Sequence, residues 1–173
     1  MAVGHEICSR TGFKLLHNHM TIEPLLRLFE WGDPAFLRLV DEFRNRIYEE
    51  FAASDQRGLI STHAWAFDIP VEAEAMERYA APFRAAGSRI MLAELIAPLE
   101  ERLRRNETPL RLEEKASKRD VESSRQRIVK ADAEHRFTSA PGELEHWKDY
   151  VRIDNTMLSA EQAAERIIEA FDL

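Results

Sequence analysis

Thr11-Gly12-Phe13-Lys14-Leu15-Leu16-His17-Asn18-His19-Met20-Thr21 is the stretch on which the reading of this chain turns. Ahead of it, Ala2 to Arg10 is helix-compatible, with Val3, Ile7 and Cys8 on one side, and Gly12 is placed to stop that helix. Phe13 to Leu16 then reads as a short apolar strand that runs into the polar turn His17-Asn18-His19. A helix, a sharp stop and a strand in so few residues point to a layered α/β fold.

The rest of the chain repeats that alternation. Thr21 to Phe29 is expected as a short helix with Thr21 as its N-cap. Asp33-Pro34 opens the clearest helix, with Phe36, Leu39, Val40, Phe43, Ile47 and Phe51 at spacings of three and four. Gly58 to Thr62 reads as a buried strand whose exit loop holds His63, Trp65, Phe67 and Asp68. Pro70 starts a helix that Gly87 closes, and Arg89 to Leu95 is the next strand. A basic helix follows, then a polar segment, Asn106 to Asp120, read as a mobile loop. Val121 to Ala133 is again helix-compatible. Tyr150 to Asp154 is the last strand, and Ser159 with Gln162 three residues on forms a capping box for a final helix striped by Ala163, Ala164, Ile167, Ile168 and Phe171. The pattern predicts an α/β domain with a mostly parallel four-stranded sheet and flanking helices. One more strand is expected at this size, and the first helix has no strand before it.

Composition narrows the classes of function. At 173 residues the chain is read as one domain, 1–173. A single cysteine, Cys8, excludes an internal disulfide, fits a reducing cytoplasm and is expected to be buried. No apolar run approaches the roughly 20 residues of a membrane span. The net charge of −7 argues against nucleic acid as a partner. Arg102 to Lys130 nevertheless carries ten Lys and Arg against five Asp and Glu, a local +5. A cationic segment on an acidic protein is suited to a small bound anion.

Thr11-Gly12-Phe13 with His17-Asn18-His19, and Tyr150-Val151-Arg152-Ile153-Asp154-Asn155-Thr156-Met157-Leu158-Ser159, resemble the second and last strands of small P-loop NTPases of the AAA and shikimate-kinase-like type. The resemblance covers nearly the whole chain. It implies a three-layer fold like that of nucleoside-monophosphate and shikimate kinases, a lid at about 104–120, and ATP with Mg²⁺ as cofactors of the full-length family. In that family a strand and a glycine-rich loop ending in Gly-Lys come before the first helix here, so Met1 stands just after the phosphate-binding lysine. None of the six glycines lies in such a pattern. A P-loop holds phosphate through its backbone N–H groups and the helix N-terminus behind it. The expectation is therefore that Met1 is an internal methionine of a longer protein, that the central first strand is absent from this chain, and that ATP binding is lost with it. An uncovered sheet slot would also favour association into a homo-oligomer.

The resemblance also implies roles. His17, Asn18 and His19, with His63 and Trp65, are acceptor-site candidates for a small hydroxyl-bearing molecule. The bland alternative is a polar turn and packing; two histidines alone make a poor metal site, and none is assigned. Asp68 is either a base or water-mediated Mg²⁺ partner, or a helix cap before Pro70. Arg111 and Arg119 are the catalytic lid candidates, with Arg102, Arg105 and Lys118 assigned to nucleotide phosphates beside Met1. Asn155 and Thr156 match the adenine loop. Glu94, inside an apolar strand, either meets a buried cation or lines a site. Trp31 and Trp147 are read as packing residues, and His135 and His146 as solvated. The competing class is a non-catalytic protein that uses its basic segment to hold an anion.

Overall fold

Two separate pairs of parallel strands organise the computed structural model, which describes residues 1–173. The first pair is β1 (Lys14–His17) with β2 (Leu59–Thr62), in register Lys14 to Leu59 through His17 to Thr62. The second is β3 (Met91–Ile96) with β4 (Asp149–Asp154), in register Met91 to Asp149 through Ile96 to Asp154. No ladder joins β2 to β3. Eight helices surround the strands: α1 (Ala2–Thr11), α2 (His19–Ile22), α3 (Pro34–Ala52), α4 (Pro70–Ala85), α5 (Leu99–Arg105), α6 (Pro109–Glu114), α7 (Val121–Glu134) and α8 (Ala160–Phe171). The expected mixed α/β class with parallel strands is present; the single sheet is not.

Both half-sheets share the same helix layers. On one side Ile7 of α1 and Ala164, Ile167 and Phe171 of α8 form a core with Ile153, against which Ile60 of β2 and Met91 and Ala93 of β3 pack. On the other side Leu16 and Leu59 meet Tyr48 of α3 and Tyr79 of α4. Leu92 and Tyr150 pack with Ala80, Leu144 and Trp147. Met76 of α4 adjoins both of these latter clusters. Ile60, Met91 and Ala93 on one core make β2 and β3 the inner strands, facing one another.

The hydrogen bonds show which backbone groups face inward. Successive residues of a strand point their N–H and C=O groups to opposite sides, and in a parallel ladder one residue bonds to the two neighbours of its partner. Lys14 N–H donates to Gly58 C=O at 2.9 Å, which turns Gly58, Ile60 and Thr62 toward β1. Asn155 N–H donates to Ile96 C=O at 3.0 Å, which turns Leu92, Glu94 and Ile96 toward β4. Leu59, Ser61, Met91, Ala93 and Leu95 therefore point their backbone groups away from their own ladders, into the space between β2 and β3.

Local chemistry accounts for the helix boundaries. Gly12 has φ 76° and ends α1, its N–H bonding back to Cys8 C=O. Pro34 and Pro70 sit at the first turns of α3 and α4, where the missing N–H costs nothing. Ser159 accepts from Gln162 N–H at 3.1 Å while the Gln162 side chain accepts from Ser159 N–H, completing the expected capping box of α8.

Four expectations are corrected. Thr21 is not an N-cap: the helix starts at His19, and the buried Thr21 hydroxyl donates to Asn18 C=O. Residues 106–120 are not a structureless loop, because Pro109 initiates α6 and a 3₁₀ turn follows over Ala116–Lys118. Cys8 is half-buried rather than buried. Trp31 is 61% exposed, meeting Phe36 at the rim, whereas Trp147 is 7% exposed. No helix is long and apolar enough to cross a membrane.

Candidate functional site

The carboxyl ends of the strands gather at one edge, and the basic segment folds over it. Three consecutive residues at the end of β1 grip that segment. His17 Nε2 lies 3.1 Å from Glu114 Oε2. Asn18 Oδ1 accepts from Lys115 Nζ at 3.2 Å. His19 Nδ1 lies 2.6 Å from Glu23 Oε1, and Glu23 in turn accepts from the backbone and hydroxyl of Ser117. Burial lowers both imidazoles toward the neutral form; Glu114 and Glu23 pull the other way, and Lys115 adds to the lowering. His17 Nδ1 is buried without a partner.

Lys115, Lys118 and Arg111 form the cationic heart of this edge. Lys115 is 7% exposed, and the only hydrogen bond of its ammonium group goes to the Asn18 amide oxygen. Lys118 lies over the Trp31 ring at 5.7 Å. Arg111 donates to Asn106 Oδ1 at 2.9 Å, and burial lowers its pKa. None of the three forms an ion pair. Burial first, then repulsion from Arg111 and Lys118, brings Lys115 down to about 8. Burial first, then Arg127 and Arg111, does the same for Lys118, to about 8. The α-amino group at Met1, at the head of α1, is lowered to about 6 by burial and then by Lys115 and Arg111. Three cations and the positive end of a ten-residue helix thus converge without an ion pair, the Glu23 carboxylate offsetting part of the charge of Lys115 and Lys118.

A second polar group adjoins the first through Thr21. The Thr21 hydroxyl accepts from Arg44 Nη2 at 3.1 Å, and Arg44 also reaches the Tyr79 hydroxyl at 3.4 Å. His63 stacks on Tyr79 with ring centroids 5.5 Å apart. Its Nε2 is 2.8 Å from Ser61 Oγ and 3.2 Å from Tyr48 OH, which is itself 2.5 Å from Ser61 Oγ. Burial, and then the Arg44 charge, lowers His63 to about 3, so it is neutral at ordinary pH. Burial raises Tyr48 to about 12. Asp41 accepts from Tyr79 OH at 2.7 Å and from Arg78.

The remaining candidates lie elsewhere. Trp65 stacks on Phe67 at 4.5 Å and joins the Leu144–Trp147 cluster, away from His63. Asp68 caps nothing, since Ile69 is the N-cap of α4. It accepts from Arg136 N–H at 2.8 Å and meets His135 Nδ1 at 3.0 Å, so His135 is engaged rather than merely solvated. Arg102 pairs with Asp132. Arg105 pairs with Glu101 and donates to the carbonyls of Asn155 and Thr156, which brings three of the expected nucleotide contacts together but turns the guanidinium inward. Thr156 bonds Asp154 at 2.6 Å. Arg119 is exposed and donates to Leu112 C=O. Glu94 meets a cation, but an exposed rather than a buried one: its carboxylate accepts from Arg152, and from Tyr150 and Ser139.

Met1, His17, Asn18, His19, Arg111 and Lys118 are therefore brought together, with His63 one step away. Lys115 stands at the centre of that group. Arg44, Tyr48 and Ser61 escaped the sequence reading because each occupies an ordinary position in an amphipathic helix or strand. The residues suit phosphate oxygens, which Lys and Arg neutralise by charge and by forked hydrogen bonds. They offer no protein cage for Mg²⁺, since no three His, Cys, Asp or Glu converge. No protein-family model, no curated protein and no solved structure matches the chain.

Proposed function

We propose that this chain carries the acceptor site and lid of an ATP-dependent phosphotransferase of the small-molecule kinase type. The observation that carries the reading is the cluster of Arg111, Lys115 and Lys118 against the first turn of α1, with no ion-pair partner among them. Phosphoryl transfer rests mainly on positioning and charge neutralisation, and a basic lid at the carboxyl ends of parallel strands is suited to both. The half-sheet arrangement, β1-β2 and β3-β4 with open inner edges, agrees with the sheet order of such kinases when their first strand is left out.

In this reading the cluster of Lys115, Lys118 and Arg111 holds phosphate oxygens. Glu23, kept below the usual carboxylate range by hydrogen bonds from Ser117 and His19 despite its burial, holds the lid's 3₁₀ turn in place. The neutral His63, with Ser61 and Tyr48, presents donors and acceptors to a hydroxyl-bearing acceptor. ATP supplies the phosphoryl group when bound, and the cradle for its other phosphates is not among these residues. The glycines at positive φ, Gly12, Gly32, Gly87 and Gly142, end helices or turns and form no phosphate loop. That last observation favours, as a second reading, an anion-binding protein without catalysis.

Thermal unfolding with millimolar pyrophosphate tests the shared part of both readings. Stabilisation by pyrophosphate that disappears in Lys115→Met/Lys118→Met supports the site; no stabilisation removes it. ADP release from ATP, dependent on an added polyol, separates the kinase from the binder.

A further inference from the structure

We infer that the space between β2 and β3 is a docking slot for one extended, apolar polypeptide strand of about five residues. The inference rests on the two inner edges alone and does not depend on phosphoryl transfer.

The edges specify what fills them. The backbone groups of Leu59 and Ser61 on one side, and of Met91, Ala93 and Leu95 on the other, point into the slot, and no backbone hydrogen bond reaches them. Unpaired N–H and C=O groups facing one another along two strands can be satisfied together only by another strand, which presents alternate residues to each side. Loops and small molecules lack that double periodicity. The length of the longer edge, Met91 to Leu95, sets the size at about five residues, or roughly 17 Å.

The chemistry of the strand follows from the layers above and below. Ile60, Met91 and Ala93 approach the slot from the α1 and α8 side. Leu59 and Leu92, with Met76 spanning their two clusters, approach it from the α4 side. A strand covered on both faces must be apolar at every position rather than alternating. Its direction follows too. The neighbours on both sides belong to parallel ladders, and the head of α1 lies at the strands' carboxyl ends beside the lid cations. A strand parallel to β2 and β3 extends both ladders in their own sense and delivers its C-terminal end to that point. An antiparallel one delivers it to the far side.

The test uses the chain with a synthetic peptide of five alternating valines and isoleucines, carrying two N-terminal lysines for solubility, and reads amide hydrogen exchange. The peptide should slow exchange at Ser61, Ala93 and Leu95 at least tenfold. A matched peptide N-methylated at alternate residues, unable to donate to one edge, should give no slowing. Ala93→Pro removes a donor that faces the slot while sparing Leu92, Glu94 and Ile96, which donate to β4. It should weaken peptide binding tenfold or more with those three amides still protected; Ser61→Pro makes the same test from β2. The inference is overturned if the peptide leaves these amides unchanged, or if the N-methylated peptide protects them equally. It is overturned as well if they are already protected in a dimer of the chain without peptide, because a second copy would then be the occupant.

Discussion

Asn18 Oδ1 accepts a hydrogen bond from Lys115 Nζ at 3.2 Å, joining the turn after β1 to the most buried cation of the lid. The flanking His17–Glu114 and His19–Glu23–Ser117 contacts make this the middle of three consecutive fastenings. The three residues that stood out as a polar cluster therefore act on the lid first, and on any ligand through it.

Asn18→Leu keeps the volume and deletes the acceptor, leaving a buried ammonium without a partner at a cost of about 1–3 kcal/mol. Trypsin should then cleave after Lys115 and Lys118 several-fold faster than in the parent chain. Equal cleavage rates would show that the lid is held by other means.

Lys115 and Lys118 both have folded-state pKa values near 8, below the 10.5 of the unfolded chain. Between these values the unfolded state binds more protons, so stability should rise as pH increases from about 8 to 10.5. Urea titrations across that range should show the rise, and Lys115→Met/Lys118→Met should flatten it. A parent chain with no alkaline gain contradicts the reading of these charges as lacking an ion pair.

His63 behaves in the acid range. Its folded pKa near 3 lies below the unfolded 6.5, so its contribution is fully present above 6.5 and is lost as pH falls toward 3. A single group of this kind supplies a slope of at most about 1.4 kcal/mol per pH unit. His63→Phe retains the stack on Tyr79 and leaves Ser61 and Tyr48 bonded to one another. The variant should lose one proton's worth of slope, and an unchanged acid limb would assign that limb to other groups such as His19.

Glu94→Ala removes a carboxylate whose side chain is 8% exposed and leaves Arg152, Tyr150 and Ser139 facing a cavity. Leaving buried hydrogen-bonding groups without their acceptor costs about 1–3 kcal/mol. Denaturant unfolding should show a loss of that size, larger than the effect of Arg119→Ala, whose side chain is exposed and bonds only the Leu112 carbonyl.

How far the fold could be read ahead depended on whether the signal was local. The apolar spacing from Phe36 to Phe51 foretold α3, and Ser159 with Gln162 foretold the start of α8, because periodicity and caps are properties of neighbouring residues. The lid was misjudged because Pro109 in a polar stretch reads as a loop residue, although it is equally at home in the first turn of a helix. The site was half legible: His17, Asn18 and His19 announce themselves by composition. Lys115 became central only through contacts with residues far away in the chain, and Arg44 looks like any exposed helix residue until Thr21 and Tyr79 are placed beside it.

The division of the strands into two ladders bears on how the molecule comes apart. Cooperative unfolding of a sheet protein ordinarily runs along continuous backbone hydrogen bonds, and here that continuity is broken in the middle. Side-chain packing through α1, α4 and α8, the Arg10 pairs with Glu161 and Glu165, and the contacts of Asp68 and of the lid couple the β1-β2 half to the β3-β4 half, with no ladder between them. With no ladder between them, the two halves are expected to open at different free energies, as amide exchange would show. Loosening at the core shared by Ile60, Met91 and Ala93 would uncouple them before either ladder melts.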